Sequence, residues 1–309
     1  MSAEVSSFVL VGDWMTDVVA ALPGALRHGT DTPAEIRVLG GGAAANVAAW
    51  MGHDRRTATF VGRIGDDLLG RAGRAELERC GVVCALAVDP RRPSGTCIVL
   101  VTPDGERSMV PSGGANQGLT PQDVDDDLFV PGAHFYVSGY TLLGDGSRMA
   151  GLSVLDRARL RGLTTSVDVA SAGPIADAGP ARFLSWVSGV DVLLANESEA
   201  ALLAGLPEPD QTHAATALEA AYEAGSVLAR SVGTAVIKLG PLGAILVRAD
   251  GTTAHADAVP VDVVDTTGAG DAFAAGFLPV WLSGSDPRAA LEAGNRSAVR
   301  VVARVGARP

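Results

Sequence analysis

Short apolar runs alternate with longer Ala-rich stretches along this chain, and the two periods are distinct. Runs of four or five apolar positions predict strands at Phe8–Gly12, Thr57–Val61, Cys97–Val101, His134–Val137, Thr165–Val169, Val190–Leu194, Ala235–Leu239 and Ala244–Val247. Stretches with helical spacing predict helices over Ala44–Met51, Leu68–Cys80, Ser147–Leu160, Ser198–Ala204, Thr212–Arg230, Ala269–Leu282 and Arg288–Val302. From residue 130 onward strand and helix take turns, the signature of a parallel sheet with crossover helices. Strands as continuously apolar as VDVLLAN, residues 190–196, fit a sheet covered on both faces.

Two stretches break the rhythm. Residues 24–40 are polar with scattered β-branched positions. Residues 95–111 read as a hairpin: GTCIVLV, a P-D-G turn at Pro103–Gly105, then ERSMV. Both are expected to form a small β subdomain projecting from the main sheet, with no repeat or long linker to divide the rest.

Composition narrows the class. The chain has 309 residues, 47% hydrophobic and 19% charged, enough for a sizeable core and against global disorder. Its 38 glycines lie between apolar runs, as tight strand-to-helix turns require. A net charge of −11 gives nonspecific nucleic-acid binding no electrostatic support, although backbone amides can still hold an anion locally. Cys80, Cys84 and Cys97 have neither redox nor zinc spacing and read as inert thiols of a reducing cytosol. Asp13 and Asp17 interrupt the N-terminal apolar run, which argues against a signal peptide. No apolar run approaches the ~20 residues that span a bilayer. The expectation is a cytoplasmic protein with no membrane partner.

The sharpest chemistry lies at residues 265–277, DTTGAGDAFAAGF. A helix opening near Gly268 would leave the N–H groups of residues 268 to 271 unpaired. With the positive end of the helix dipole they form an anion site. Asp271 would sit in the first turn, where the dipole should keep it ionised. An ionised acid beside an anion-binding loop can accept a proton from a hydroxyl attacking a bound phosphoryl group. The same residues also suit a bland reading, Thr267 as N-cap with an ordinary first-turn acid. Pro279, inside the following apolar run, is placed to kink or end that helix.

The second motif is GGGAAANVAA, Gly40 to Ala49. As G-x-G-x-x-A it loosely matches a dinucleotide turn, with Asp66 or Asp67 at the distance of a ribose-binding acid. About 27 residues separate it from Gly12, however, where such a turn would follow the first parallel strand directly. The alternatives are close helix–sheet packing, or a floor of bare backbone with Asn46 offering an amide to a polyol.

Taken together the motifs resemble a ribokinase-like carbohydrate kinase of the PfkB family. Gly41-Gly42-Ala43-Ala44-Ala45-Asn46-Val47-Ala48 resembles its N-terminal signature, and Gly62-Arg63-Ile64-Gly65-Asp66-Asp67 with Gly70 the segment beside it. Asn196-Glu197-Ser198-Glu199 matches N-x-x-E, and Asp265 to Asp271 the C-terminal signature. These occur in family order across most of the chain. The resemblance implies one domain over residues 1–309: a three-layer αβα sandwich with a mostly parallel sheet, and a β lid from roughly 14–40 and 93–113.

The resemblance also implies roles. Asp17, assisted by Asp13, hydrogen-bonds sugar hydroxyls, with Gly41, Gly42 and Asn46 as further acceptor contacts. Gly268, Ala269 and Gly270 form the anion hole and Asp271 is the base. Asn196 and Glu199 organise Mg²⁺ and the phosphates of ATP through water. Lys238, Gly240, Gly243 and Asn295 fall on the nucleotide side, although Lys238, the only lysine, also reads as a solvated strand-end residue. Asp265 and Thr267 match positions whose carbonyls can hold a monovalent cation such as K⁺, and relatives often form homodimers through the lid.

Three departures shape the expected acceptor. Ala43 stands where several relatives carry Lys, which favours a neutral sugar. Asp168-Val169-Ala170 lacks the Asn of the D-x-N form common in fructokinase-like members. Neither residues 24–40 nor residues 95–111 contain Phe, Tyr or Trp, which leaves Trp14 as the one aromatic candidate for a nucleoside base. The reading is an ATP-dependent phosphotransferase acting on a primary hydroxyl of a small neutral sugar. The rivals are a nucleoside kinase on the same scaffold, a non-catalytic sugar-binding relative and, more remotely, an NAD-dependent oxidoreductase.

Overall fold

A computed structural model of the chain describes residues 5–103, 106–209 and 213–309. Thirteen strands occur among these residues: β1 Ser7–Val11, β2 Met15–Ala21, β3 Glu35–Gly41, β4 Ala58–Gly65, β5 Val83–Asp89, β6 Thr96–Val101, β7 Arg107–Ser112, β8 Ala133–Ser138, β9 Thr164–Asp168, β10 Val192–Asn196, β11 Thr234–Lys238, β12 Ala244–Arg248 and β13 Thr253–Ala256. The helices are α1 Ala43–His53, α2 Leu68–Arg79, α3 Gly139–Leu143, α4 Arg148–Leu160, α5 Ala172–Ala178, α6 Pro180–Val187, α7 Glu197–Ala204, α8 Ala214–Leu228, α9 Ala269–Leu282 and α10 Pro287–Val302.

Nine strands form the main sheet in the order β13-β12-β11-β10-β9-β8-β1-β4-β5. Pairing is parallel from β11 through β5 and antiparallel at β11–β12 and β12–β13. Alternation along each strand feeds two cores. Phe8 and Leu10 join a cluster with Trp50 of α1, Leu77 of α2, Phe273 and Phe277 of α9 and Leu291 of α10. Val9 and Val11 join the opposite cluster, with Val154 of α4, Phe183 of α6, Leu203 of α7 and Leu228 of α8. Helices therefore cover both faces of the sheet.

A second sheet, β3-β2-β6-β7, joins β2 to strands from the two stretches that broke the sequence rhythm. Its residues alternate between an inner and an outer face. Asp17, Val19, Arg37, Leu39, Val99 and Arg107 line a cavity beneath it, whereas Ile36, Val38, Ile98 and Val110 are exposed.

The structure differs from the sequence expectation in several places. β2, β5 and β13 and helices α3, α5 and α6 were not foreseen, and α9 runs through Pro279 to Leu282. The expected P-D-G turn falls on 103–105, and Asp104 and Gly105 lie outside the described residues, as does Thr212 at the expected start of α8. The glycine turn at 40–42 leaves β3, which pairs antiparallel with β2 in the small sheet, and not a parallel strand of the main sheet. Asp67 caps α2 by accepting from Gly70 N at 2.8 Å, and Asp66 pairs with Arg71. The dinucleotide reading therefore fails.

Candidate active site

Helix α9 begins with Gly268 as N-cap at φ 77°, and no side chain caps it. Thr267 is thus not the N-cap; its own N–H donates to Asp265 Oδ1 at 2.8 Å. Glycine suits position 268 twice over. The left-handed backbone is strained for other residues, and a Cβ there would lie 2.5 Å from Ala307 Cβ. The Ala269 N–H is spent on the Thr266 carbonyl at 3.2 Å, contrary to the expected run of four open donors. Those of Gly268, Gly270 and Asp271 donate to nothing among the described residues. Lys238 adds a cation to this turn, since a Cβ on Gly270 would lie 3.0 Å from its Nζ.

Asp271 Oδ2 accepts a hydrogen bond from Asn46 Nδ2 at 2.9 Å, so the two signature motifs meet across the molecule. The carboxyl is not held ionised by the helix dipole. Burial pushes it up to about 8, reinforced by Asp168 and Asp13 and only partly offset by Asn46 and Lys238. Lys238 donates to Asp168 Oδ2 at 2.7 Å. Burial pushes the Lys238 ammonium down, but Asp168, Glu199 and Asp271 together outweigh it and leave it above its ordinary value. It is a half-buried member of the site, ion-paired with Asp168, and not a solvated strand-end residue.

On the acceptor side, Asp13 Oδ2 accepts from Ala43 N at 3.2 Å, while its Oδ1 is buried without a partner. Gly42, at φ 95°, lets the chain pass against the Asp13 carbonyl, and a Cβ on Gly41 would strike the Asp17 carboxylate. Asp17 accepts no hydrogen bond from the described residues. Burial, countered by Arg308, raises it to about 6. It opens onto a cavity of about 180 Å³ that reaches Arg107, Asp265, Thr267 and Gly306. Trp14 is not an aromatic face for that cavity: it is 2% exposed and packed on Gly73.

Two arginines were missed by sequence reading. Arg308, 8% exposed, donates Nε to Asn46 Oδ1 at 3.0 Å, Nη1 to Glu76 Oε2 at 2.8 Å and Nη2 to the Gly41 carbonyl at 2.6 Å. Arg107 of the small sheet donates to Asp265 Oδ1 at 2.6 Å and to Thr266 Oγ1 at 2.8 Å. Asp265 also accepts from Gly306 N at 3.1 Å. Burial opposes its charge, but the N–H groups of Thr267 and Gly306 and the Arg107 guanidinium hold it below the usual carboxylate range. Nothing near either arginine in sequence marks it, because the partners lie more than a hundred residues away.

The model of the pfkB family carbohydrate kinases matches residues 5–309. The chain belongs to this family. It is 31% identical over 274 residues to an ATP-dependent ribose-1-phosphate kinase of Halopiger xanaduensis, covering 88% of this chain and 83% of that relative. It is 32% identical over 292 residues to a 2-dehydro-3-deoxygluconokinase of Thermoproteus tenax, covering 93% and 85%. Among solved structures, Arabidopsis thaliana ribokinase complexed with ribose and ATP superposes with a TM-score of 0.79 at 26% identity, covering 99% of this chain and 95% of that one.

The remaining expected site residues of this pfkB family kinase are mostly engaged with one another. Asn196 caps α7 by accepting from Glu199 N at 2.9 Å, and Glu199 accepts in return from Asn196 N and Nδ2 at 2.8 and 2.9 Å. Glu199 is buried, and burial raises it, with relief from Lys238. Gly243, at φ 86°, lies where a Cβ would strike the Ala256 carbonyl, whereas Gly240 at φ 53° faces open space. Asn295 spends its Nδ2 on the carbonyls of Ala256 and Asp257 at 3.0 and 2.9 Å and fastens α10 to the end of β13. No group of three acid, His or Cys side chains could hold a metal directly among the described residues. Asp168, Glu199 and Asp271 nevertheless act together on one lysine, a surplus of carboxyl groups that fits a hydrated divalent cation carried in with phosphates.

Proposed function

We propose that this chain transfers a phosphoryl group from ATP to a primary hydroxyl of a small neutral sugar. The meeting of Asp271, three open amides and Lys238 at the start of α9, with Asn46 delivering a hydrogen bond across the molecule, carries this reading. Asp17 and the bare backbone of Gly41 and Gly42 hold the acceptor. Asp271 takes the hydroxyl proton, and a value near neutrality suits a base that must later release it. The amides of Gly268, Gly270 and Asp271, with Lys238, receive the charge of the transferring group. Mg²⁺, when bound, neutralises phosphate charge, and Glu199 would reach it through water. Gly240, Gly243 and Asn295 shape the nucleotide side by backbone and packing. K⁺ at the Asp265 and Thr267 carbonyls would rest on main chain alone, because the Asp265 carboxylate is spent. The protein works in the cytoplasm as a homodimer.

The neutral acceptor is argued from charge. Arg107 is tied to Asp265 and Thr266, Arg37 to Glu35, and Arg308 to Asn46, Gly41 and Glu76, whereas Asp17 stands open. A phosphorylated acceptor would meet an unneutralised acid. The second reading keeps such an acceptor, because Arg37 and Arg107 line the cavity and one relative is a ribose-1-phosphate kinase. No aromatic residue lines it, which disfavours a nucleoside.

The test is ADP release with ATP and Mg²⁺ across neutral sugars, sugar phosphates and nucleosides. Turnover is expected with a neutral sugar. Asp271→Asn should retain ATP binding yet lose turnover by about a thousandfold; wild-type turnover in that variant removes Asp271 as the base.

A further inference from the structure

Arg308, the penultimate residue, is buried through the active-site wall without touching the acid that the chemistry uses. Between them stands Asn46. An amide side chain has one accepting end and one donating end, and either can face either neighbour. A guanidinium has only donors. Arg308 therefore forces Asn46 Oδ1 toward itself, and the Nδ2 end is left to face Asp271. Glu76 and the Gly41 carbonyl hold the guanidinium on its other edges, so it cannot swing away.

We propose that Arg308 is a positioning residue for the base: by donating to Asn46 it locks that amide so that Asp271 always receives a hydrogen bond and never gives one. A donor aimed at a carboxylate favours the ionised form, and an acceptor aimed at it favours the protonated form. With the lock removed, Asn46 is free to turn its oxygen to a protonated Asp271. The base is then harder to ionise. The inference rests on the reading of Asp271 as the base.

Other groups also face Asp271 and set where it titrates. Asp13 follows β1, Asp168 ends β9 and Lys238 ends β11. Tyr136 and Tyr140, in and just after β8, feel its charge. None of them hydrogen-bonds the Asn46 amide among the described residues, so they shift Asp271 without setting the direction of that hydrogen bond.

The experiment is the pH profile of kcat/KM for ADP release in wild type, Arg308→Lys, Arg308→Gln and Arg308→Met, with Asp271→Asn alongside. Gln brings an acceptor and Met brings neither role while keeping a buried stem; Lys keeps the donor-only character. In the Gln and Met variants the acid limb should move up by about one pH unit, with a roughly tenfold loss at neutral pH that is recovered at high pH. Arg308→Lys should keep the limb near that of wild type. A uniform loss at every pH, with the limb unmoved in whichever of the Gln and Met variants folds, overturns the inference and leaves Arg308 a packing residue. A displaced limb in Arg308→Lys does the same, since a donor-only side chain would then not suffice. If Asp271→Asn turns over normally, the failure belongs to the reading of the base. If it is inactive and the Arg308 limb is unmoved, only the lock fails.

Discussion

Asp271 lies under two opposed influences, and their sizes decide its state. The helix N-terminus favours the charged form by about 0.3–1 kcal/mol at an exposed site. Burial works the other way and, with Asp168 and Asp13 nearby, carries the group from 3.8 to about 8. The consequence for stability has a definite sign. Below about 3.8 both folded and unfolded chains hold this proton. Between 3.8 and 8 the unfolded chain ionises while the folded one does not, so stability falls as pH rises, and above 8 the loss is complete. Asp271→Asn has no proton to lose. It should match wild type near pH 4 and exceed it by on the order of a few kcal/mol at pH 8.5. Urea unfolding of both proteins across that range is the check, and a constant difference would mean that Asp271 is not held protonated. The position of this residue was legible in DTTGAGD, because loop, helix start and acid are local in sequence. Its protonation was not, since Asn46, Asp168 and Asp13 approach it only through the tertiary fold. Arg308 was hidden for the same reason, 262 residues from Asn46 in the chain.

At the scale of the element, α9 depends on how it begins. Gly268 combines a left-handed backbone with contact against Ala307, the neighbour of Arg308. Gly268→Ala should cost roughly 2–4 kcal/mol, from backbone strain plus overpacking. It should also lower turnover more than that loss alone explains, because the open amides move with the helix start. Chemical denaturation together with steady-state ADP release measures both, and a stable, fully active variant would show that the tight start is dispensable. Elements with strong local patterns were readable: the apolar β10, and the glycine-led α1 and α9. Those missed have weak patterns for physical reasons. β5 is an edge strand with no clean alternation in burial, its residues 84–87 all half-buried, and β13 is a four-residue edge strand. Helices α5 and α6 span only 7 and 8 residues, too short for helical periodicity to emerge.

At the scale of the whole molecule, the small sheet has two faces with different tasks. Its inner residues Asp17, Val19, Arg37 and Val99 line the cavity. On its outer face Val38 pairs in register with Val18, Val18 with Ile98 and Ile98 with Val110, an apolar row across all four strands. Val38 is 61% exposed, Val110 58% and Ile98 48%, and Ile36 extends the patch. Contiguous apolar surface of this kind is uncommon on a monomer, and a row that crosses a sheet is self-complementary under a two-fold axis. The homodimer proposed above would cover it with a second copy of the chain. Val38→Asp and Ile98→Glu, made together, place charges at one end and in the interior of the row and leave the inner face untouched. The expected result in light scattering is a wild-type dimer and a monomeric double variant. Since the same sheet carries Asp17, the proposed acceptor contact, on β2, the variant should also show a raised KM for the sugar while ATP binding holds. A wild-type chain that stays monomeric at micromolar concentration would refute the proposed dimer, and an unchanged KM in a monomeric variant would show that the small sheet holds its shape alone.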